Sequence, residues 1–310
     1  TDGKHDFNAK DKCRKCGAIN GYGVKYEYLE DSSVYYVSDN RNLTAKEVKI
    51  LDTYTDGIHG PHPVTFVKNG AFMGNTSIEK VILPESVTAL EGDVFNGCTS
   101  LAYVSMPGVT ELRTQSLEKS IYAKAVSTGN NFLNCLKLKT VIVNKDFSLY
   151  DAQDNAWQQF YDWRHESGNR LTPEPCVNLY CLGTAAESKL NATPNSKNIL
   201  LTGVVYYKGD LSKCNQWQQD DDGFIETSDH AYDANGVCKN CKQINTHGVF
   251  YGYTEKKVNN VDTSYYFVWS YTGNAETLTI PAKYNDGTHG EHPVKYVKAR
   301  AFEENTTLKK

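Results

Sequence analysis

The sequence has no hydrophobic run that approaches the roughly 18 consecutive apolar residues a membrane-spanning helix needs. It also has no excess of positive charge, since 33 Lys and Arg stand against 37 Asp and Glu, a formal net charge of -4. Without a basic surface, counterion release cannot drive binding to nucleic acid, so DNA and RNA are not expected partners. Thr1 opens a polar stretch without a charged-then-apolar leader, and we expect a soluble chain with no transmembrane segment.

Methionine is scarce and tyrosine abundant, with 2 Met against 21 Tyr in 310 residues. This balance favours pleated, half-exposed surfaces over helical bundles, and the length allows two folded units. Catalytic signatures are lacking too: no nucleophile elbow, phosphate loop, dinucleotide fingerprint or His-Glu-x-x-His helix occurs. We therefore predict a β-rich protein that is not an enzyme. The remaining catalytic alternative is a secreted glycan hydrolase that uses acids such as Glu85, Glu91 and Asp93.

A short repeat is present, in which a phenylalanine is followed six residues later by Leu or Ile and then by a valine-rich segment. Phe72 and Phe95 lie 23 positions apart, Phe132 follows 37 positions later, and Phe302 begins a fourth copy. Such a period fits a coil in which each turn contributes one short strand and one inward aromatic ring. We predict that Phe72, Phe95 and Phe132 stack in one interior column.

This pattern resembles the BspA-like family of bacterial leucine-rich repeats. The shared features are Ala-Phe, a short polar segment with cysteine (Cys98, Cys135), then leucine and a Val-Ile strand that ends in proline, and they cover residues 64–145 and 294–310. The resemblance implies a β-rich (α+β) repeat solenoid, with leucine-rich repeats of about 23 residues and β-hairpin caps. It also implies surface exposure, adhesion to host or neighbouring cells, and multi-module extracellular chains.

A long repeat relates the start of the chain to its last third. His5 and the Cys13-x-x-Cys16 pair recur at an offset of 225, while the segment 56–64 recurs as 286–294 at an offset of 230, so five residues are inserted between. The chain then holds one whole unit and the beginning of a second. We expect it to be a slice of a longer array.

The two repeats divide the chain into five predicted segments. They are a His/Cys-x-x-Cys linker or knuckle (1–20), a β cap (21–66), a leucine-rich-repeat solenoid with insertions (67–207), a linker with the second His/Cys-x-x-Cys element (208–245), and a second β cap with the start of a second leucine-rich-repeat unit (246–310). Solenoids need an end piece that covers the first coil, which is why strands before the first repeat are interpreted as caps. A helix is predicted over 185–190.

Each Cys-x-x-Cys pair is a candidate for a structural zinc site, because two thiolates at this spacing can bind one tetrahedral ion. The predicted ligands are His5, Cys13, Cys16, His230, Cys238 and Cys241. Two His-x-x-His pairs could supply further ligands: His59 with His62, and His289 with His292. Lys242, where the first element has Gly17, weakens the prediction for the second. Free or disulfide-linked pairs remain alternatives, and the odd total of 9 cysteines leaves the redox compartment open.

The largest aromatic cluster lies in residues 150–170 and comprises Trp157, Phe160, Tyr161 and Trp163, of which the first three fall on one helical face. It is either a cover for the last coil or an exposed binding surface. With the family resemblance, the sequence predicts a secreted or cell-surface bacterial module, non-catalytic, that binds host or microbial surface proteins or glycans. The alternative is a structural spacer in a multi-module surface protein.

Overall fold

The structure, a computed structural model, describes residues 5–112, 131–147, 177–191, 204–271, 275–287, 289–299, 301–302 and 305–309. These residues are rich in strands and contain no α-helix, only short 3-10 turns at Glu30–Ser32 and Lys189–Asn191. Accordingly, they contain no helix that is long and apolar enough to cross a bilayer. The chain divides into a first unit (1–192 with 198–208) and a second unit (193–197 with 209–310).

Twelve strands lie within the described residues of the first unit. They are β1 (Tyr26–Leu29), β2 (Val34–Val37), β3 (Glu47–Lys49), β4 (Thr53–Tyr54), β5 (His62–Val67), β6 (Lys80–Ile82), β7 (Ala89–Leu90), β8 (Tyr103–Met106), β9 (Glu111–Leu112), β10 (Thr140–Val143), β11 (Asn178–Cys181) and β12 (Val205–Lys208). One sheet has the order β1-β2-β5-β7-β9, with β4 beside β5. The other runs β3-β6-β8-β10-β11-β12, and all its neighbours are parallel. We call this second sheet the parallel ladder.

The first sheet joins the predicted cap to the repeats. Strands β1 and β2 form an antiparallel hairpin, as a β-hairpin cap requires, and β2, β5, β7 and β9 then continue as parallel neighbours. Strand β3, also from the predicted cap, begins the parallel ladder beside β6. The cap therefore extends both sheets, and its strands β3 and β5 pair directly with the repeat strands β6 and β7.

The parallel ladder aligns equivalent side chains in columns because parallel strands pair in register and successive side chains alternate between faces. One column faces the interior and consists of Val48, Val81, Val104, Val141 and Leu179, each at most 2% exposed. Burying each such side chain contributes about 1.5–3 kcal/mol. This column is the centre of the core.

The predicted phenylalanine column is confirmed. The rings of Phe72 and Phe95 stack with centroids 5.5 Å apart, and those of Phe95 and Phe132 do the same at 5.5 Å, with interplanar angles of 12° and 16°. Three residues after these rings, the thiols of Cys98 and Cys135 each donate to the phenylalanine carbonyl of the preceding coil at 3.1 Å. The cysteines thus connect neighbouring coils.

In the part of the second unit that the structure describes, there are eight strands. They are β13 (Gln216–Gln219), β14 (Ile225–Ser228), β15 (Val249–Thr254), β16 (Lys257–Val258), β17 (Val261–Asp262), β18 (Tyr265–Tyr271), β19 (Lys283–Asn285) and β20 (Glu291–Val297). The sheet β15-β18-β20-β19 has the same order and strand directions as β1-β2-β5-β4. Both sheets also share one hydrogen bond: the hydroxyls of Tyr35 and Tyr266 donate to the carbonyls of Gly60 and Gly290.

The structure locates the residues inserted into the second unit. Tyr28 corresponds to Tyr253 and Tyr35 to Tyr266, so six extra residues lie between them, and one fewer follows before the next matched tyrosine, Tyr284. The extra residues form the antiparallel hairpin β16–β17, whose turn has two consecutive asparagines with positive φ. Asparagine tolerates this conformation, which a two-residue hairpin turn demands. The five residues that the second unit has in excess are therefore accounted for by this local hairpin.

Two segments differ from their predictions: 185–190 has less regular structure than expected, and 208–245 has more. The helix predicted over 185–190 is instead a turn followed by the 3-10 turn, because six residues are too few to nucleate a helix. There, the Glu187 carboxylate accepts from both the backbone N–H and the hydroxyl of Thr184, a capping contact that closes a single turn. The range 208–245 contains the antiparallel hairpin β13–β14, with Trp217 buried and the Asp220 carboxylate accepting from the N–H of Phe224.

Candidate functional site

The two His/Cys-x-x-Cys elements form the same small loop, which we call the knuckle. In the first, isolated bridges join Phe7 to Cys13 and Lys12 to Ile19, and in the second the corresponding bridges recur at an offset of 225. The N–H of Gly17 donates to the carbonyl of Cys13 at 2.9 Å, and the N–H of Lys242 makes the equivalent bond at 3.0 Å. The knuckle is thus a defined hydrogen-bonded loop in both units.

Lys242 does not prevent the second knuckle from forming. It adopts φ 65°, the left-handed conformation in which Gly17 has φ 80°. A non-glycine residue in this region costs on the order of 1–2 kcal/mol. The second knuckle therefore has the same loop geometry as the first, contrary to the prediction that Lys242 weakens it. The lysine does leave backbone strain in the loop.

The second knuckle brings four metal-ligating side chains together: Cys214, His230, Cys238 and Cys241, whose ligand atoms all lie within 4.8 Å of one another. The Sγ atoms of Cys214 and Cys238 are 3.4 Å apart, and the Sγ of Cys241 lies 3.1 Å from Nδ1 of His230. Cys238 is fully buried, and the other three are half-buried. Three thiols and one imidazole therefore converge on one point.

The first knuckle brings together the three predicted side chains, His5, Cys13 and Cys16. Nδ1 of His5 lies 3.4 Å from the Sγ of Cys16, and Cys13 is buried while the other two are exposed. The six ligands predicted from the sequence lie in these two clusters, and Cys214 joins the second without having been predicted. The internal repeat could not reveal it, because its counterpart at an offset of 225 would precede Thr1.

The thiols differ in their acidity because of the loop backbone. The N–H of Cys16 and then the His5 ring lower the pKa of Cys13 to about 6. For Cys238, burial raises the pKa, but the backbone N–H groups of Cys241 and Asn240 outweigh it and bring it to about 6. Burial raises the pKa of Cys241 instead. A thiolate, the form that binds metals, is thus favoured at the first cysteine of each pair.

Each knuckle packs against the Asp-Gly-x-His turn of its own unit. The N–H of Ile19 donates to the carbonyl of Thr55 at 2.9 Å, and that of Ile244 to Asn285 at 3.0 Å. The turn glycines make the closest approach: a Cβ on Gly57 would come within 2.5 Å of the Cys16 carbonyl oxygen, and one on Gly287 within 3.1 Å of the Cys241 sulfur. The knuckle is therefore docked on the β cap.

The two His-x-x-His pairs stabilise these turns and do not join the cysteine clusters. In the first unit, Nδ1 of His59 bonds the Asp56 carboxylate at 2.8 Å, and Nε2 of His62 contacts the carbonyl of His59 at 2.9 Å. His289 and His292 repeat both contacts. Among the described residues, none of the four histidines belongs to a cluster with the Cys-x-x-Cys pairs, so the expectation that they supply zinc ligands is wrong.

The parallel ladder has a second face, opposite the core column. Its side chains vary from strand to strand: Glu47, Lys80, Tyr103, Thr140 and Asn178 occupy one register position and are half-buried or exposed. We call this row the outer column. The ammonium of Lys80 lies 5.4 Å from the ring centroid of Tyr103 and 3.5 Å from the Glu47 carboxylate, so charge and aromatic surface are combined there.

Two of the three acids considered for hydrolysis make structural contacts within the repeats, while Glu85 is exposed. Glu91 is fully buried, and its carboxylate accepts from the backbone N–H of Asn69 at 2.8 Å. Asp93 has φ 57° and accepts from the side chain of Asn96. These contacts position the turn between coils. The aromatic cluster predicted as a cover or binding surface, Trp157, Phe160, Tyr161 and Trp163, lies outside the described residues.

A family model of the BspA type leucine rich repeat region matches residues 53–161 in 6 copies. Residues 53–161 carry BspA-type leucine-rich repeats. This agrees with the resemblance found in the sequence and with the strand-rich repeat fold. The match begins inside the predicted cap, where β4 and β5 join the first sheet. The BspA type is a repeat family of bacterial surface proteins, and no catalytic family is indicated.

Solved leucine-rich repeat proteins of bacteria are similar to parts of the BspA-type chain. A leucine-rich repeat protein of T. pallidum is 23% identical over 42% of this chain and 62% of its own, with a TM-score of 0.31. A leucine-rich repeat protein from Bacteroides capillosus is 19% identical over 54% of this chain and 99% of its own, with a TM-score of 0.33. A leucine rich cell surface protein of Faecalibacterium prausnitzii is 15% identical over 85% of this chain and 64% of its own, with a TM-score of 0.32. The chain thus spans less than two thirds of the T. pallidum protein, and no curated protein matches it.

Proposed function

We propose that the BspA-type chain is a non-catalytic recognition or adhesion module that works outside a bacterial cell and binds surface proteins or glycans of a host or of other microbes. The observation that supports this most directly is the contrast between the two columns of the parallel ladder. The core column repeats valine or leucine, whereas the outer column has a different side chain in each strand. Stacked coils of this kind form a solenoid with an extended binding face.

The chemistry of the outer column suits a binding surface. Tyrosine offers a large, rigid, amphipathic contact area at low entropic cost, and it is enriched at the centres of interfaces. Lys80 and Tyr103 are adjacent across β6 and β8, so together they present a cation beside a ring. Such a pair suits an acidic or polar partner such as a mucin glycan or an acidic protein segment. Leucine-rich-repeat domains in general mediate protein interactions.

The test is a binding screen of the purified chain against matrix proteins, mucins and glycans. We expect binding to at least one of them, and expect Lys80→Glu with Tyr103→Ala to weaken it at least 10-fold. The control is Lys257→Glu, an exposed charge of the second unit outside the ladder, which should bind like the wild type. We call the Lys80→Glu, Tyr103→Ala protein the ladder variant. The proposal is contradicted if the wild type binds none of the surfaces, or if the ladder variant binds as tightly as the wild type.

A second candidate, a structural spacer, is favoured by the recurrence of the knuckle and cap in both units. A spacer needs length and stiffness, not a particular surface. In that case, the parent surface protein should keep its function when this region is replaced by an unrelated rod of equal length. Failure of the replacement, combined with rescue by the native chain but not by the ladder variant, would favour recognition instead.

A further inference from the structure

We propose that Cys214, His230, Cys238 and Cys241 bind one zinc ion, with Cys214 as the ligand that completes the site. Three cysteine sulfurs and one imidazole nitrogen are a common tetrahedral ligand set of structural zinc. Soft thiolate donors also disfavour calcium and magnesium, which take oxygen ligands. The site lies wholly within the second unit, so it depends on no segment outside that unit.

The distances between the ligand atoms fit this ion. With zinc–sulfur bonds of about 2.3 Å and a zinc–nitrogen bond of about 2.0–2.1 Å, tetrahedral geometry places two sulfurs about 3.8 Å apart and a sulfur and a nitrogen about 3.5 Å apart. The corresponding distances are 3.4 Å for Cys214 to Cys238 and 3.1 Å for Cys241 to His230. All four atoms lie within 4.8 Å of one another. A shift of a few tenths of an ångström would admit the ion.

The surroundings support the ligands in the way that structural zinc sites require. The N–H of Lys242 donates to the carbonyl of Cys238 at 3.0 Å, which closes the loop that carries Cys238 and Cys241. The His230 ring stacks on Tyr232 with centroids 5.6 Å apart, and this contact fixes its orientation. A single tetrahedral ion among these side chains would use all four ligand atoms at once.

The ion would join elements that are distant along the chain. Cys214 precedes the hairpin β13–β14, while the other three ligands belong to the knuckle, which is bonded to the β cap through Ile244 and Asn285. Zinc would therefore fix the hairpin to the knuckle and, through it, to the cap of the second unit. The structural role is that of a rigid joint at the start of a cap.

The first knuckle provides a built-in comparison. It has the histidine and the Cys-x-x-Cys pair but only three ligands among the described residues. Replacing Cys214 in the second cluster by a residue that cannot coordinate zinc tightly gives that cluster the same three-ligand set. If Cys214 completes the site, the substituted second cluster should bind zinc no more tightly than the first.

The experiment measures zinc in the full chain purified without chelator, by elemental analysis before and after dialysis against a competing chelator. We expect about one zinc per chain to survive dialysis in the wild type, and Cys214→Ser to lose it with an affinity reduced more than about 100-fold. This bound follows because loss of an outer-shell partner alone costs about 10–100-fold. Cys181→Ser, a buried cysteine of the first unit, is the matched control and should retain the zinc.

A second variant separates loss of a ligand from loss of folding. Cys214→His replaces a thiolate by another zinc ligand and should restore binding, with near-ultraviolet circular dichroism reporting whether each variant is folded. In the cobalt-loaded protein, sulfur-to-cobalt charge-transfer absorption should fall in Cys214→Ser. The proposal is overturned if the wild type holds less than about half a zinc per chain, if folded Cys214→Ser retains zinc like the wild type, or if mass spectrometry finds Cys214 in a disulfide.

Discussion

Removing the central ring of the phenylalanine column should destabilise the first unit strongly. Phe95 is fully buried and stacks on a ring above and a ring below, each with centroids 5.5 Å away. Truncating a buried phenylalanine to alanine costs about 3–5 kcal/mol, because the lost burial adds to the energy of the cavity left behind. That is a large part of the roughly 5–15 kcal/mol that stabilises a typical domain. We expect Phe95→Ala to unfold the first unit or leave it marginally stable.

Urea unfolding followed by far-ultraviolet circular dichroism measures this loss through the shift of the unfolding midpoint. Met73→Ala is the matched control, because Met73 adjoins the column but is 41% exposed. Its substitution should change the free energy of unfolding by no more than about 0.5 kcal/mol. If Phe95→Ala costs less than about 1 kcal/mol, or no more than the control, the rings do not hold the coils together.

A double-mutant cycle isolates the stacking from the burial. Leucine keeps an apolar side chain in place while removing the ring, so we compare Phe72→Leu, Phe95→Leu and the double variant. Aromatic pairs contribute about 0.5–1.5 kcal/mol beyond the area they bury, and this is the expected coupling energy. A coupling of zero would mean that the rings fill space without interacting with one another.

Three further predictions concern the knuckle and its turn. Lys242→Gly should stabilise the second unit by up to about 1 kcal/mol in urea unfolding, because it removes the left-handed strain at φ 65°; a loss of stability would contradict this. Gly57→Ala should cost more than Gly60→Ala, because both have φ above 80° but only Gly57 lies against the knuckle backbone; equal costs by urea unfolding would show that docking is loose. Bonding to Asp286 raises the pKa of His289, so its stabilisation should be complete below about pH 6.5 and be lost as the pH rises through the higher folded value. His289→Gln should remove that pH dependence from the urea midpoint, and an unchanged pH profile would refute the assignment.

The core of the repeats could be predicted from sequence because periodicity specifies burial. The spacing of Phe72, Phe95 and Phe132 implies a shared column despite the longer gap before the third ring, since loops absorb inserted residues without changing the stacking. The same reasoning located the two three-residue clusters, because Cys-x-x-Cys spacing and a recurring histidine are local patterns. Such patterns lie within short stretches of the chain, so they can be recognised before the fold is known.

The contacts that the sequence did not predict are those made between distant or unrepeated residues. Cys214 lies 16 positions before His230 and has no second copy within the sequence, so no internal comparison marked it. His59 and His62 have metal-like spacing, yet the carboxylate of Asp56 and a backbone carbonyl already bond them. Spacing alone cannot distinguish a ligand from a turn residue, because both need a polar side chain at a short fixed interval.

The position of Cys214 suggests how the second unit could be stiffened. Both knuckles are docked on their caps through the same backbone bond and the same glycine approach, so docking alone does not need Cys214. What Cys214 adds is a link to the preceding hairpin, and a covalent link shortens the range of motion more than one hydrogen bond does. Without Cys214 the second knuckle would hold only its own cap, whereas with Cys214 it would also hold the hairpin β13–β14. The rigidity of the second unit from hairpin to cap would therefore depend on this one cysteine.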